Sequence, residues 1–320
     1  MTCRAPLYGV RQQGSGNKPQ IYSEKPKDLL EAYELLELPC GRCRGCRMKK
    51  RWEWGVRCTH EAAYIWEEFS LPSTFITLTY DDANLPIDGS LVPKHLQDFI
   101  KRFRRRIEPD NIRYYACGEY GSKCPKHELQ NCPTCGPIQR PHYHALIFGW
   151  AFPDRQEIGC REGLPVYESD FLNQLWPYGL HEIGSVTIES ASYVAGYIMK
   201  KITGNKAHEH YQRYCPLRDT WYHVEPEFHH MSKKPGIGLG WLGKYKDDVY
   251  PSDECPIPGR GVHGTPPKYY DKFAEIWGID MDAIKAKRRK KLALSLLEGP
   301  GLLSRAIVQD AEIARFRGKL

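Results

Sequence analysis

The sequence predicts an α+β protein built on a central antiparallel sheet. Three observations lead there. Between residues 74 and 202 the patterns run strand, helix, strand, strand, helix, strand, then a further helix. The strand segments are β-branched and aromatic, whereas the helical ones repeat apolar residues three and four apart. The flanks differ from this run: a Cys-rich, basic segment precedes it, and Gly/Pro-rich loops and helices follow. The βαββαβ order is the ferredoxin-like plan, which would pack its helices on one sheet face and leave the other free for a site. The expected division is a Cys-rich basic segment and helix (1–70), a core (71–205) and a C-terminal region without an assigned role (206–320).

Taken in order, residues 1–39 read as irregular, with a short helical patch near "DLLEAYELLEL". Residues 45–69 read as a helix. "TFITLTY" (74–80) is a strand and "NLPIDG" a turn. In "PKHLQDFIKRFRRRI" (93–107) Leu96, Phe99, Ile100 and Phe103 recur at helical spacing behind Pro93, a residue suited to a helix start. "IRYYACGEYG" (112–121) and "HYHALIFG" (142–149) are strands, "ESDFLNQLW" (168–176) a helix and "GSVTIE" (184–189) a strand. "SASYVAGYIMKKI" (190–202) is a helix with Ser190 or Ser192 as its cap. Beyond 203, "KKPGIGLGWLGK" and "ECPIPGRGVHGTPPKYY" read as loops, and 266–278 and 281–318 as helices broken at "GPG". "GIGLG" lacks the strand before it and the helix after it that a phosphate loop needs.

The chain has 320 residues, enough for one large domain or two modest ones. No run of 18 apolar residues occurs, and the first residues lack the apolar core of a signal peptide, so the cytoplasm is the expected location. A net charge of +7 favours a polyanionic partner. Basic runs at 101–106 and 285–291, and a third through 42–57 interleaved with Trp52 and Trp54, suit phosphate contact with base stacking.

In a reducing compartment clustered cysteines read as metal ligands. "CGRCRGC" places Cys40, Cys43 and Cys46 two residues apart, the spacing of a zinc knuckle. A fourth ligand is needed, Cys3 first and Cys58 second. A second set, Cys124, His127, Cys132 and Cys135, could hold another structural zinc in a loop insertion.

His142 and His144 sit at i and i+2 in a predicted strand, so both imidazoles project from one face. Glu119 lies on the strand before it. If it faces the same way, two imidazoles and a carboxylate converge, a set that binds a divalent metal and leaves coordination positions open. Tyr193 and Tyr197 share a helix face at i and i+4, with Lys200 and Lys201 following. By itself such a pair is more often a core feature. Beside a metal, a tyrosine could attack a phosphodiester, with a lysine stabilising its phenolate.

These stretches resemble a known family. "LPCGRCRGCRMKKRWEWGVRCTHEA", "FITLTYDDANLP", "RPHYHALIFG", "YVAGYIMKKITG" and "MSKKPGIG" are similar to the HUH endonucleases, and within them to the replication initiators of gokushovirus-type microviruses, phages with small circular single-stranded DNA. The resemblance spans roughly residues 40–240. It implies a nickase dependent on Mg2+ or Mn2+. A tyrosine stays joined to the 5′-phosphate, the free 3′-OH primes rolling-circle synthesis by host polymerase, and a second tyrosine helps reseal the circle. No Walker motif occurs, so unwinding falls to a host helicase. The competing readings are a plasmid or transposon nickase of the same chemistry, a metallohydrolase using activated water, and a zinc-containing nucleic-acid-binding protein without catalysis.

Overall fold

The computed structural model describes residues 3–15, 17–121, 140–161, 163–196, 201–202, 204–215, 219–258 and 261–298, with positions 307 and 311. The chain divides into two compact units, residues 1–52 with 282–320, and residues 53–281.

In the first unit, β1 (Leu7–Gln12), β2 (Gln20–Tyr22) and β3 (Tyr33–Leu38) form an antiparallel sheet in the order β2-β1-β3. The helical patch expected near residue 33 is therefore a strand. Its Leu and Glu residues favour a helix locally, but a six-residue ladder from Leu7↔Leu38 to Gln12↔Tyr33 overrides that preference. Helix α1 (Arg44–Phe69) begins in this unit and continues into the second, as the sequence predicts.

The second unit is organised by a seven-stranded sheet. Its elements are β4 (Ser73–Tyr80), α2 (Pro93–Arg106), β5 (Arg113–Tyr120), β6 (Pro141–Phe148), β7 (Gln156–Arg161), β8 (Leu164–Glu168), α3 (Asp170–Leu175), β9 (Gly179–Ser185), α4 (Ile188–Gly196), α5 (Asn205–Tyr211), β10 (Gln212–Cys215), β11 (Thr220–His223), β12 (Phe228–Met231), α6 (Leu239–Ser252), β13 (Cys255–Ile257), β14 (Val262–Gly264) and α7 (Lys268–Ile276). A last helix, α8 (Met281–Glu298), leads back into the first unit. The sheet order is β12-β5-β6-β4-β9-β8-β7, with every pairing antiparallel.

Strand β4 shows why the sheet has two different faces. Its alternation buries Thr74, Ile76, Leu78 and Tyr80. Ile76, Leu78 and Tyr80 pack with Leu96, Phe99, Ile100 and Phe103 of α2 and with Trp176, forming the main core. The opposite face is not left free, as the sequence reading expected. Cys58 and Ile65 of α1 and Ala191, Val194 and Ala195 of α4 cover much of it with Leu146 and Phe148 in a second core. A helix long enough to cross that face brings apolar side chains that must be buried somewhere, and this face accepts them.

Three boundaries moved. The strand expected at 184–189 runs from Gly179 to Ser185, and Thr187 starts α4 instead. Thr187 Oγ1 accepts from the Ser190 N–H at 3.1 Å while Ser190 Oγ accepts from the Thr187 N–H at 2.8 Å, a reciprocal cap that ends the strand. Helix α4 is described to Gly196, and residues 201–202 are not helical. The Ile202 N–H donates to Tyr211 Oη at 3.0 Å, a side-chain partner in place of a helical carbonyl. "LGWLGK", read as part of a loop, opens α6.

Candidate metal centres and active site

Register decides where the chemistry converges. Glu119 of β5 pairs directly with His142 of β6, and Cys117 with His144. Across the other edge of β6, Thr79 faces His142 and Thr77 faces His144. Because the side-chain period is two, Glu119, His142, His144 and Thr77 all project from the sheet face that carries the second core.

His142 Nε2 lies 2.6 Å and His144 Nε2 3.2 Å from the same oxygen, Oε1 of Glu119. The carboxylate and His144 are buried, and His142 is the more exposed, at 17% of its side chain. His142 Nδ1 lies 3.2 Å from the Arg140 carbonyl, which can only accept, so Nδ1 carries a proton there. Its Nε2 then turns a lone pair toward a carboxylate oxygen. Two acceptors that close need a positive species, a second proton or a metal ion. Adjacent ligands on a small octahedral cation lie about 3 Å apart, close to the separations seen. His144 is oriented from behind by Thr77 Oγ1, 3.0 Å from its Nδ1. Burial works to raise the Glu119 carboxyl, but the hydrogen bonds and charge of the two imidazoles outweigh it and hold the group well below the usual carboxylate range. The residues therefore suit a divalent ion. All three ligand atoms lie within 4.8 Å of one another.

Tyr193, on α4, brings its ring to 5.3 Å from the His144 ring, nearly edge-on, and to 6.4 Å from Phe75. It is half-buried. Close approach of α1 allows this: a Cβ at Gly55 would meet Ser192 Oγ at 2.4 Å, so the missing side chain lets α4 settle against α1. Lys201 is exposed and lies past the described end of α4. Tyr197 and Lys200 fall outside the described residues, as do Cys124, His127, Cys132 and Cys135.

The family comparisons bear on this face. The replication-associated protein ORF2 family matches residues 73–202, a span that contains Glu119, His142, His144 and Tyr193. Replication-associated protein VP4 of Bdellovibrio phage phiMH2K is 32% identical over 285 residues, covering 85% of this chain and 79% of that protein. Replication-associated protein ORF2 of Spiroplasma virus 4 is 32% identical over 282 residues, 84% of this chain and 78% of that protein. The chain belongs to the phage replication-associated proteins. A shorter match, 30% over 172 residues, links it to Replication-associated protein ORF4 of Chlamydia phage 1 and covers 51% of this chain and 38% of that protein. No solved structure matches. No described helix is long and apolar enough to cross a membrane.

A second cluster lies in the first unit of this phage replication-associated protein. Cys3, Cys40, Cys43 and Cys46 each offer a sulfur within 4.8 Å of the others. The Arg4 N–H donates to Cys43 Sγ at 3.3 Å, the Cys40 N–H to Cys3 Sγ at 3.3 Å and the Cys43 N–H to Cys40 Sγ at 3.2 Å. Partial burial pushes the Cys43 thiol up, but these backbone and thiol contacts reverse that and bring it down to about 6, so it ionises readily. A tetrahedral ion suits four such sulfurs. Cys58, the alternative fourth ligand, is fully buried in the second core and takes no part in the cluster.

The basic runs are placed less simply than their composition suggests. Arg57 is buried: its Nε donates to the Ile237 carbonyl at 3.0 Å, and its guanidinium lies over Trp54 and Tyr269. On α2, which covers the far face of the sheet, Arg102 is committed to the Leu175 carbonyl and Arg104 and Arg106 lie over Tyr114 and Phe171. Thr77 and Arg140 were missed as supporting residues. Period-two alternation from Thr79 to Thr77 could have placed Thr77 on the site face; its cross-strand partner could not be read from sequence.

Proposed function

We propose that this protein initiates rolling-circle replication of a small circular phage genome by nicking one strand at the origin and staying joined to its 5′ end. The observation that carries this reading is the Tyr193 ring against His144, beside a carboxylate and two imidazoles that suit a divalent ion. Strands β4, β5, β6 and β9 with α2 and α3 are read as the ferredoxin-like core, residues 71–205, with flanking regions at 1–70 and 206–320.

Glu119, His142 and His144 would hold Mg2+ or Mn2+, which when bound polarises the scissile phosphate and neutralises developing charge. Tyr193 Oη attacks phosphorus. The P–Oη bond forms and the P–O3′ bond breaks, while the phenolic proton is released and the departing 3′-oxygen gains one. The resulting 3′-OH primes a host polymerase on strands parted by a host helicase. Since phosphotyrosine retains the energy of the broken ester, no nucleotide hydrolysis is needed. Tyr197 is read as the second nucleophile for the closing exchange, and Lys201 and Lys200 as assisting cations. Cys3, Cys40, Cys43 and Cys46 are read as a structural Zn2+ site, closed to substrate, and Cys124, His127, Cys132 and Cys135 as a second one.

The test is incubation with single-stranded origin oligonucleotides and Mn2+ or Mg2+, followed by a denaturing gel and peptide mapping. A protein–DNA adduct on Tyr193 or Tyr197 with a 3′-OH product is expected. Cleavage without an adduct, or an adduct in the Tyr193→Phe/Tyr197→Phe variant, would overturn the assignment.

A further inference from the structure

The β10–β11 hairpin stands apart from the seven-stranded sheet, pairing among the described residues only with itself. Its two faces differ. On one, Tyr222 donates from its hydroxyl to the Asp88 carbonyl at 3.1 Å, and Arg213 is half-buried, bound to the carbonyls of His210 and Gln212. On the other, Tyr214 and Trp221 are directly paired across the strands. Their ring centroids are 5.3 Å apart, yet Tyr214 is 45% and Trp221 62% exposed. His223 lies two residues along on that face, and its ring is 4.4 Å from His208; both are exposed. Four aromatic rings thus form one solvent-facing stripe.

The root of the hairpin is tied to the site end of the sheet. Tyr120, next to Glu119, donates from its hydroxyl to the Glu225 carbonyl at 2.7 Å. Tyr211, the last residue of α5, accepts from the Val224 N–H at its carbonyl and from the Ile202 N–H at its hydroxyl. The hairpin therefore springs from between the segment that follows the Tyr193 helix and the strand that borders the Glu119 strand.

Burying one face while exposing four rings on the other is a poor use of aromatic surface unless something covers it. We propose that this stripe is a stacking platform for the bases of single-stranded DNA, holding the unpaired strand beside the Glu119/His142/His144 site. The occupant is argued from continuity with that site, and the inference rests on the reading of the protein as a DNA-nicking initiator. Ring faces accept any base, so the platform would grip strands without reading sequence and would favour unpaired DNA over duplex, whose bases are already stacked.

The probes are a fluorescein-labelled oligothymidylate and the same oligonucleotide with abasic sites, their binding read by fluorescence anisotropy. The full chain and its Tyr214→Ala/Trp221→Ala variant are compared, with Tyr214→Phe/Trp221→Phe as a ring-retaining control. The wild type should bind the intact strand at least about tenfold more tightly than the abasic one, and the alanine variant should lose both that affinity and that preference. The phenylalanine variant should retain most of each. Equal affinity of wild type and alanine variant, or a preference for bases that survives in the alanine variant, would overturn the platform. So would a concentration-dependent self-association abolished by the alanine variant with strand binding unchanged, since a second copy would then cover the stripe. Adduct formation at saturating oligonucleotide is measured in parallel. An adduct with no ring-dependent binding sinks the platform alone, whereas ring-dependent binding with no adduct sinks the nicking reading alone.

Discussion

Four sulfurs in the first unit and two imidazoles with a carboxylate in the second are both compact enough to close on an ion, and they are built in opposite ways. The sulfur set is mostly local. Three ligands come from a seven-residue stretch, and backbone N–H groups of Arg4, Cys40 and Cys43 point at the sulfurs. The histidine set depends on register between two strands joined by a long connection, with a side chain, Thr77, steadying it from a third strand. Four soft donors fill a tetrahedron and leave nothing for a substrate; three harder donors leave positions open. The first arrangement suits holding a chain together, the second chemistry, and substitutions can break that contrast or sharpen it.

The largest effect should come from emptying the open site. His142→Ala/His144→Ala should reduce covalent adduct formation to background while leaving the thermal midpoint close to wild type once metal-free samples are compared. A double variant that still forms adduct at the wild-type rate would remove the catalytic half of the contrast. Cys43→Ser should do the reverse. Zinc measured in protein purified without added metal should fall from one equivalent attributable to this set to none, and residues 1–52 should become protease-sensitive. Zinc content unchanged by Cys43→Ser would deny the sulfur set a structural role.

These two clusters are unequally visible in the sequence. The sulfur triplet announces itself by spacing, and its partner Cys3 is the leading choice. The histidine pair is legible because period-two alternation puts i and i+2 on one face. Glu119 is legible because sequential strands so often pair. The rest is hidden where pairing, not local preference, decides. "YELLEL" favours a helix and becomes β3 by pairing with β1. "FHHM" becomes β12 only through its ladder to β5. The hairpin β7–β8 has no alternation to read: all six residues of β7 are exposed at the sheet edge. The covered second face of the sheet escapes for the same reason, since nothing in α1 says which surface it will meet.

A third histidine sharpens the comparison by having neither role. His60 is stacked on Trp241 at 3.5 Å between ring centroids. Its Nε2 donates to the Pro256 carbonyl at 2.7 Å and its Nδ1 accepts from Tyr270 Oη at 2.9 Å. Both nitrogens are thus spent on protein. Burial pushes its pKa down to about 4, against the opposing pull of the Pro256 carbonyl. A folded-state value below the unfolded one means the unfolded chain binds the proton first. The stability is therefore complete above about pH 6.5 and lost as pH falls toward 4, on the order of 3 kcal/mol in all. Urea unfolding at pH 7.5 and pH 4 should show that much less acid loss in His60→Gln than in wild type. An equal loss in both would mean that His60 is not the buried neutral group described.

The smallest effect tests whether the open site is steadied as a metal site should be. Thr77 touches only His144 within the triad, through Nδ1, and its side chain is nearly the shape of valine. Thr77→Val should therefore leave the sheet intact and change just one thing, the orientation and basicity of one imidazole. Losing such a supporting contact commonly costs about 10–100-fold in metal affinity or activity. The expected signature is a higher Mn2+ concentration for half-maximal adduct formation, with the rate at saturating Mn2+ largely restored. A general fault in packing would instead lower the saturated rate and the thermal midpoint together. If Thr77→Val behaves that way, or needs no more Mn2+ than wild type, the hydrogen bond to Nδ1 is incidental and His144 is held by its neighbours Phe75 and Tyr193 alone.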